Sequence, residues 1–201
     1  MSKNDNLPED IIYSEATVGF AAAANEFCKI LESAGGFSLK NFIENIYKIT
    51  SLIHVKALSL PDTEDTVRLP SETFITEADW HYINSAISRK LGEFDIYGEV
   101  REPANPETPA AISMSECLTD IYQDLKDFLK IYQIGTREAI LSALEDCKES
   151  FRQFWGPRLI SVMNEFHILL YGNEDLKETD TPENKNNKPK GNNWVDNLFN
   201  N

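Results

Sequence analysis

Residues 113–171 repeat apolar side chains at steps of three and four, with two interruptions that each combine a stop and a start signal, and this limits the chain to packed helices. Ser113-Met114-Ser115-Glu116 has the form of a capping box, in which a hydroxyl and a carboxylate satisfy the orphan amides of a helix start, so a helix opens at Ser113 or Ser115. Leu118, Ile121, Tyr122, Leu125, Phe128, Leu129 and Tyr132 then form one continuous buried stripe. Gly135 ends that run and Thr136 caps the next, whose stripe is Ile140, Ala143, Leu144, Cys147, Phe151 and Phe154. Trp155-Gly156-Pro157 reads as a second break, because proline suits a first helical turn and disrupts a helix interior. Leu159, Val162, Met163, Phe166, Leu169 and Leu170 continue beyond it. Connections this short predict sequential antiparallel helices in a three-helix layer.

Three more helices precede this segment. The first runs over residues 14–33, with Phe20, Ala23, Ala24, Phe27, Ile30 and Leu31 inward and Gly35-Gly36 as its stop. Its alanine run at 21–24 lets a neighbouring helix approach closely. Ser38 caps a second helix with Phe42, Ile46, Ile49 and Ile53 inward, extending towards Leu58 before Pro61. A polar connection spans residues 61–70, and Thr76-Glu77-Ala78-Asp79 starts a shorter helix carrying Trp80, Ile83, Ile87 and Leu91. No strand-type alternation is long enough to compete, and no fixed-period repeat is present. The expected fold class is all-α, an antiparallel bundle of five to six main helices over residues 11–171. Residues 1–10 are expected to be flexible, and Pro103, Pro106 and Pro109 make residues 101–109 an extended connector.

The run Ile121-Tyr122-Gln123-Asp124-Leu125-Lys126-Asp127-Phe128, with Tyr132-Gln133-Ile134-Gly135, Cys147, Phe151, Phe154-Trp155-Gly156, Leu159 and His167, resembles an uncharacterised bacterial family. Its members are acidic helical proteins of roughly the present length, and the likeness extends over about residues 11–171. The resemblance implies a helical domain of unknown function and carries no activity, substrate or catalytic residue with it. Pro157 departs from the polar residue expected at that place in the family, a mild change at a helix first turn.

Residues 172–201 are rich in Asn, Lys, Glu, Asp, Thr and Pro, a composition that does not offset the entropy of ordering, so a disordered tail is expected. Near its end Trp194, Val195, Leu198 and Phe199 recur at helical spacing. Such a cluster fits a motif that folds as it docks in a partner's groove; the other reading is that it returns to its own domain.

Of the 201 residues 33 are Asp or Glu and 19 are Lys or Arg, a net charge of −14, and half of that excess falls in residues 61–109. This charge disfavours nucleic acid and anionic membranes and favours a protein partner with a basic surface. Glu116, Asp120, Asp124 and Asp127 share one stripe opposite the apolar face, either a solvated face or an electrostatic docking strip. No signal-peptide pattern opens the chain, and the longest apolar run, residues 18–24, is far too short to span a bilayer. Cys28, Cys117 and Cys147 are isolated and odd in number, which points to reduced thiols and a cytoplasmic setting. No residue pattern specifies an oligomeric state.

Catalytic patterns are thin. None of His54, His81 and His167 follows a glutamate by three residues, as di-iron bundles require. Glu77 and His81 lie four apart on one face, yet two ligands do not make a metal site, and no cofactor fingerprint is present. His167 reads either as a buried structural histidine or as a proton-transfer group that needs a carboxylate such as Asp124 within reach. Asp95, Tyr97 and Glu99 alternate at the mouth of the proline connector, where they either line a polar pocket or pin the connector to the bundle. The leading functional expectation is a non-enzymatic interaction protein. The alternative is a small hydrolase or metal-dependent enzyme built on Asp95, Tyr97, Glu99 and His167, and a third class is an acidic mimic of nucleic acid.

Overall fold

The structure, a computed structural model, describes residues 11–63, 68–70, 72–99, 110–172 and 176. The expected flexible start, the 101–109 connector and the 194–199 motif therefore lie outside the described residues. Six α-helices account for most of the remainder: α1 Glu15–Glu32, α2 Leu39–Leu58, α3 Glu77–Leu91, α4 Met114–Ile134, α5 Arg137–Ser150 and α6 Gly156–Tyr171. Five of the six open on a side-chain cap. Ser14, Ser38, Thr76, Ser113 and Thr136 each accept the amide three residues ahead, and Thr76 forms a full capping box with Asp79. Each such cap is worth about 1 kcal/mol and sets where the helix begins.

The fold is an all-α antiparallel bundle with α4 at its centre, packed against α1, α3, α5 and α6, while α2 packs on α1 and α6. Phe20, Phe27, Phe42, Ile46, Ile53, Ile87, Leu118, Ile121, Leu125, Trp155 and Phe166 are buried in one core. Full burial of each stabilises by about 1.5–3 kcal/mol. Small residues on α1 let α2 come close, since a Cβ on Gly19 would lie 2.9 Å from the Lys56 Nζ. The Tyr47 hydroxyl lies 3.0 Å from His167 Nδ1, and the His54 and Phe151 rings meet at 5.7 Å, so α2 and α6 run antiparallel.

Two expectations of local structure are corrected. Trp155-Gly156-Pro157 is not a break between antiparallel helices: a π-helical turn, Phe151–Trp155, joins α5 to α6, and the backbone stays right-handed helical at Phe151, Trp155 and Gly156. Residues 137–171 form one helical path along α4, not two legs of a three-helix layer. Pro157 is accommodated in the first turn of α6, beside a turn whose bonding pattern is already shifted. The extra residue of the π turn rotates the phase of the helix. It carries Trp155 into the core at 0% exposure and leaves Phe154, expected inward, 41% exposed beneath the Arg158 guanidinium.

The second correction is a short antiparallel hairpin, β1 Ile96–Glu99 and β2 Ala110–Ser113, with Tyr97 opposite Ile112. Both of those side chains pack on the core, and Ile96 points to solvent. A four-residue alternation is too short to register as a strand signal, and the pairing comes from the two ends of the connector meeting beside the start of α4.

Glycine is a poor helix former, so replacement by alanine ordinarily stabilises a helix. At Gly156 the opposite is expected. An added Cβ would sit 2.3 Å from the Phe151 carbonyl oxygen, which already accepts the Gly156 amide across the π turn. Gly156→Ala should therefore lower stability by about 1–3 kcal/mol, read from denaturant unfolding; an unchanged or raised midpoint would show that the turn relaxes to an ordinary helix.

Candidate functional site

The connection between α2 and α3 is a strap held down by side chains of α4 and α5. The Lys148 ammonium, 6% exposed, donates to the Pro61 carbonyl at 2.7 Å and to the Asp62 carboxylate at 2.9 Å. Thr63 donates to Glu145, and the Leu69 amide donates to the Ser142 hydroxyl at 2.9 Å. One oxygen of Asp127 accepts the Phe74 and Ile75 amides at 2.7 and 3.0 Å. Between this strap, α4 and α5 lies a cleft of about 240 Å³ lined by Glu72, Asp124, Asp127, Asp146, Cys147 and Ser150.

Burial raises the carboxyls of Asp124, Asp127 and Asp146 above the usual aspartate range. The Ser150 hydroxyl partly offsets this at Asp124, the two strap amides at Asp127 and the Arg68 guanidinium at Asp146. Desolvation likewise pushes the Cys147 thiol up and keeps it protonated.

The stripe of Glu116, Asp120, Asp124 and Asp127 is thus divided by its partners. Glu116 is exposed, Asp120 accepts the Trp80 indole at 3.1 Å and pairs with Arg158 at 3.5 Å, and Asp124 accepts the Ser150 hydroxyl. Three of the four bind groups of their own chain. Trp80, Ser150 and Arg158 come from α3, α5 and α6, and no spacing rule on α4 alone points to them.

Asp95 is buried at 5% exposure where the hairpin meets α4. Its carboxylate accepts the Ser115 amide at 2.7 Å, the Ser115 hydroxyl at 2.8 Å, the Ser88 hydroxyl at 2.8 Å and the Ser113 hydroxyl at 3.4 Å. Its own carbonyl accepts the Met114 amide at 2.8 Å. The carboxylate serves the orphan donors at the positive end of α4, so it holds the start of the hairpin against α3 and α4. Tyr97 packs on the core alongside, and Glu99 closes β1 opposite Ala110.

His167 belongs to a different set. Its ring is exposed, a correction to the buried reading, and it contacts Tyr47 and Tyr171 on the α2–α6 seam. The structure does not join Asp95, Tyr97 and His167 in one hydrogen-bonded set, and the group beside Asp124 is Ser150. Glu77 and His81 approach to 3.6 Å on an exposed face. Among the described residues no three His, Cys, Asp or Glu side chains are grouped to hold a metal ion.

That seam carries apolar side chains in the open. Tyr47, Ser51, Val55 and Leu58 recur along α2, and Ile160, His167 and Tyr171 along α6, and the Tyr47–His167 bond joins the two rows where they meet. Val55 is 58% exposed, Leu58 66%, Ile160 55% and Tyr171 71%. Sequence reasoning passed over them. The available signal was that Val55 and Leu58 fall out of phase with the inward set Phe42, Ile46, Ile49 and Ile53.

An acidic, single-core helical bundle with an open seam is the class this geometry defines. Residues 11–172 match the family model described as a domain of unknown function (DUF5063), and the chain belongs to that family. A similar solved structure is that of protein BF1032 from Bacteroides fragilis, 30% identical, covering 82% of this chain and 98% of that one, with a TM-score of 0.72. None of the curated proteins matches the chain.

Removal of the Asp95 carboxylate takes their acceptor from the buried Ser115 amide and from the Ser88 hydroxyl, leaving the Ser113 and Ser115 hydroxyls only each other as acceptors. Asp95→Ala should destabilise by about 2–4 kcal/mol in chemical unfolding, with Asp95→Asn milder. The cleft carboxylates act in the other sense. A carboxyl whose folded pKa is raised opposes folding at neutral pH, and that penalty fades as pH falls through the folded value towards the unfolded one, about 3.9. The contribution of these three carboxyls to stability should therefore rise as pH falls from neutral towards the unfolded value. Asp124→Asn should raise the melting temperature at pH 7 and lose that advantage near pH 4; a pH-independent difference between the two proteins would contradict the account.

Proposed function

We propose that the protein is a non-enzymatic helical binding module whose working surface is the α2–α6 seam. The observation that carries this reading is the pair of exposed apolar rows, Val55 with Leu58 and Ile160 with Tyr171, on helices whose opposite faces are fully packed. Exposed apolar rows of this kind suit the apolar stripe of an amphipathic segment, with Tyr47 and His167 supplying hydrogen-bonding groups beside them. The net charge of −14 favours a partner with basic flanks and disfavours nucleic acid and anionic lipid. Among the described residues no helix is long and apolar enough to cross a membrane. The three buried free thiols fit a reducing compartment, and the cytoplasm is the proposed location.

The commitment of Asp120, Asp124 and Asp127 to Trp80, Ser150 and the strap amides favours the seam over the α4 acidic strip as the contact surface. Val55→Asp with Ile160→Asp should leave the helical circular dichroism signal at 25 °C unchanged, since exposed positions of this kind rarely change stability by more than about 0.5 kcal/mol each. The same variant should lose, by tenfold or more, proteins that wild type enriches by cross-linking in cells. An identical cross-linked set from both would reject the seam.

A further inference from the structure

We propose that the resident occupant of the α2–α6 seam is the chain's own C-terminal segment, residues 194–199, docked in cis. The inference rests on the seam being a binding surface and names what covers it when no outside partner is present. Three observations converge on this occupant.

The first is position. The chain leaves α6 at Tyr171, whose ring lies 4.8 Å from that of His167, so the tail starts at one end of the exposed rows. The second is a foothold. Leu176, five residues beyond the end of α6, packs partly buried against the bundle core, so the chain is held on the body of the domain at that residue. The third is reach and chemistry. Residues 177–193 separate Leu176 from Trp194, and a chain of that length has a root-mean-square span of about 21–25 Å. That matches the length of α6, about 24 Å for its 16 residues. Trp194, Val195, Leu198 and Phe199 offer an apolar face at helical spacing, and the open rows offer Val55, Leu58 and Ile160.

A tether of this length holds the motif at an effective concentration of about a millimolar, so even weak cis contacts keep the seam covered. An outside segment then has to displace the tail, and the tail sets the threshold for binding. In this arrangement the Trp194 and Phe199 side chains are the competitors of any partner.

Hydrogen exchange on the full-length chain tests this directly. Amides of residues 194–199 should exchange at least tenfold more slowly than in an unfolded chain, independently of protein concentration, and Val55→Asp with Ile160→Asp should abolish that protection while the helical circular dichroism signal at 25 °C holds. In a second arm, a labelled peptide of residues 190–201 should bind Trp194→Asp/Phe199→Asp full-length protein at least tenfold tighter than wild type. Unfolded-chain exchange in wild type, protection that survives the seam substitutions, protection that grows with concentration, or equal peptide binding by both proteins would each overturn the proposal. Loss of the tail's protection alone, with seam-dependent cross-linking intact, removes only the cis occupant. Loss of both removes the seam reading as well.

Discussion

Phe20 of α1 holds the molecule together through its two aromatic neighbours. Its ring lies 5.5 Å from Phe128 of α4 and 6.5 Å from Trp155 of the π turn, and all three side chains are buried. Phe128 in turn meets Tyr132, whose hydroxyl reaches the Ile12 carbonyl at the N-terminal turn. One aromatic run thus ties the start of the domain, its central helix and the junction of its last two helices. Each pair adds about 0.5–1.5 kcal/mol beyond area burial. The π turn depends on this contact, because one extra residue brings the large Trp155 ring inward while Leu144 and Cys147 of α5, before the turn, also remain inward.

The acidic character of the chain is partly structural. Asp95 caps the start of α4, Asp120 receives an indole, Asp124 a hydroxyl and Asp127 two backbone amides, so four carboxylates act as hydrogen-bond acceptors where elements cross. A carboxylate makes stronger bonds than a neutral acceptor, and the bundle bears the desolvation that raises Asp124 and Asp127 in return for fixed crossings. Lys148 does the same with opposite charge beneath the strap. The surface contribution of this charge is correspondingly smaller than the bare excess of acidic residues suggests.

Much of the fold was legible because caps and stripes are local. Ser14, Ser38, Thr76, Ser113 and Thr136 mark the helix starts observed, and the inward residues of α1, α2 and α4 follow from spacing alone. The α5–α6 junction was misread because Gly156-Pro157 is a strong local stop signal, yet a subtler one was present. Cys147, Phe151, Trp155 and Leu159 advance by four residues three times in succession, more than an α-helix turns, and that is the mark of an inserted residue. The candidate sites were less legible. Asp95 with Ser88, and Asp120 with Trp80, meet only after tertiary packing, and His167 could be assigned to Tyr47 only once α2 and α6 lay side by side. The 30% identity to BF1032, with the bundle shared over nearly all of that chain, shows how much of the sequence such a scaffold leaves free.

The strap over the cleft shows where that freedom lies. Leu69 and Phe74 are gripped by their main-chain amides, so what the bundle recognises at those two places is the path of the backbone, whereas Asp62 and Thr63 are held through their side chains. The identity requirement falls instead on Ser142 and Asp127, the anchors on the opposite bank. Drift at Leu69 and Phe74 is therefore cheap and drift in their moorings is not, which makes that stretch of the crossing a place where new surface chemistry is acquired without refolding the domain.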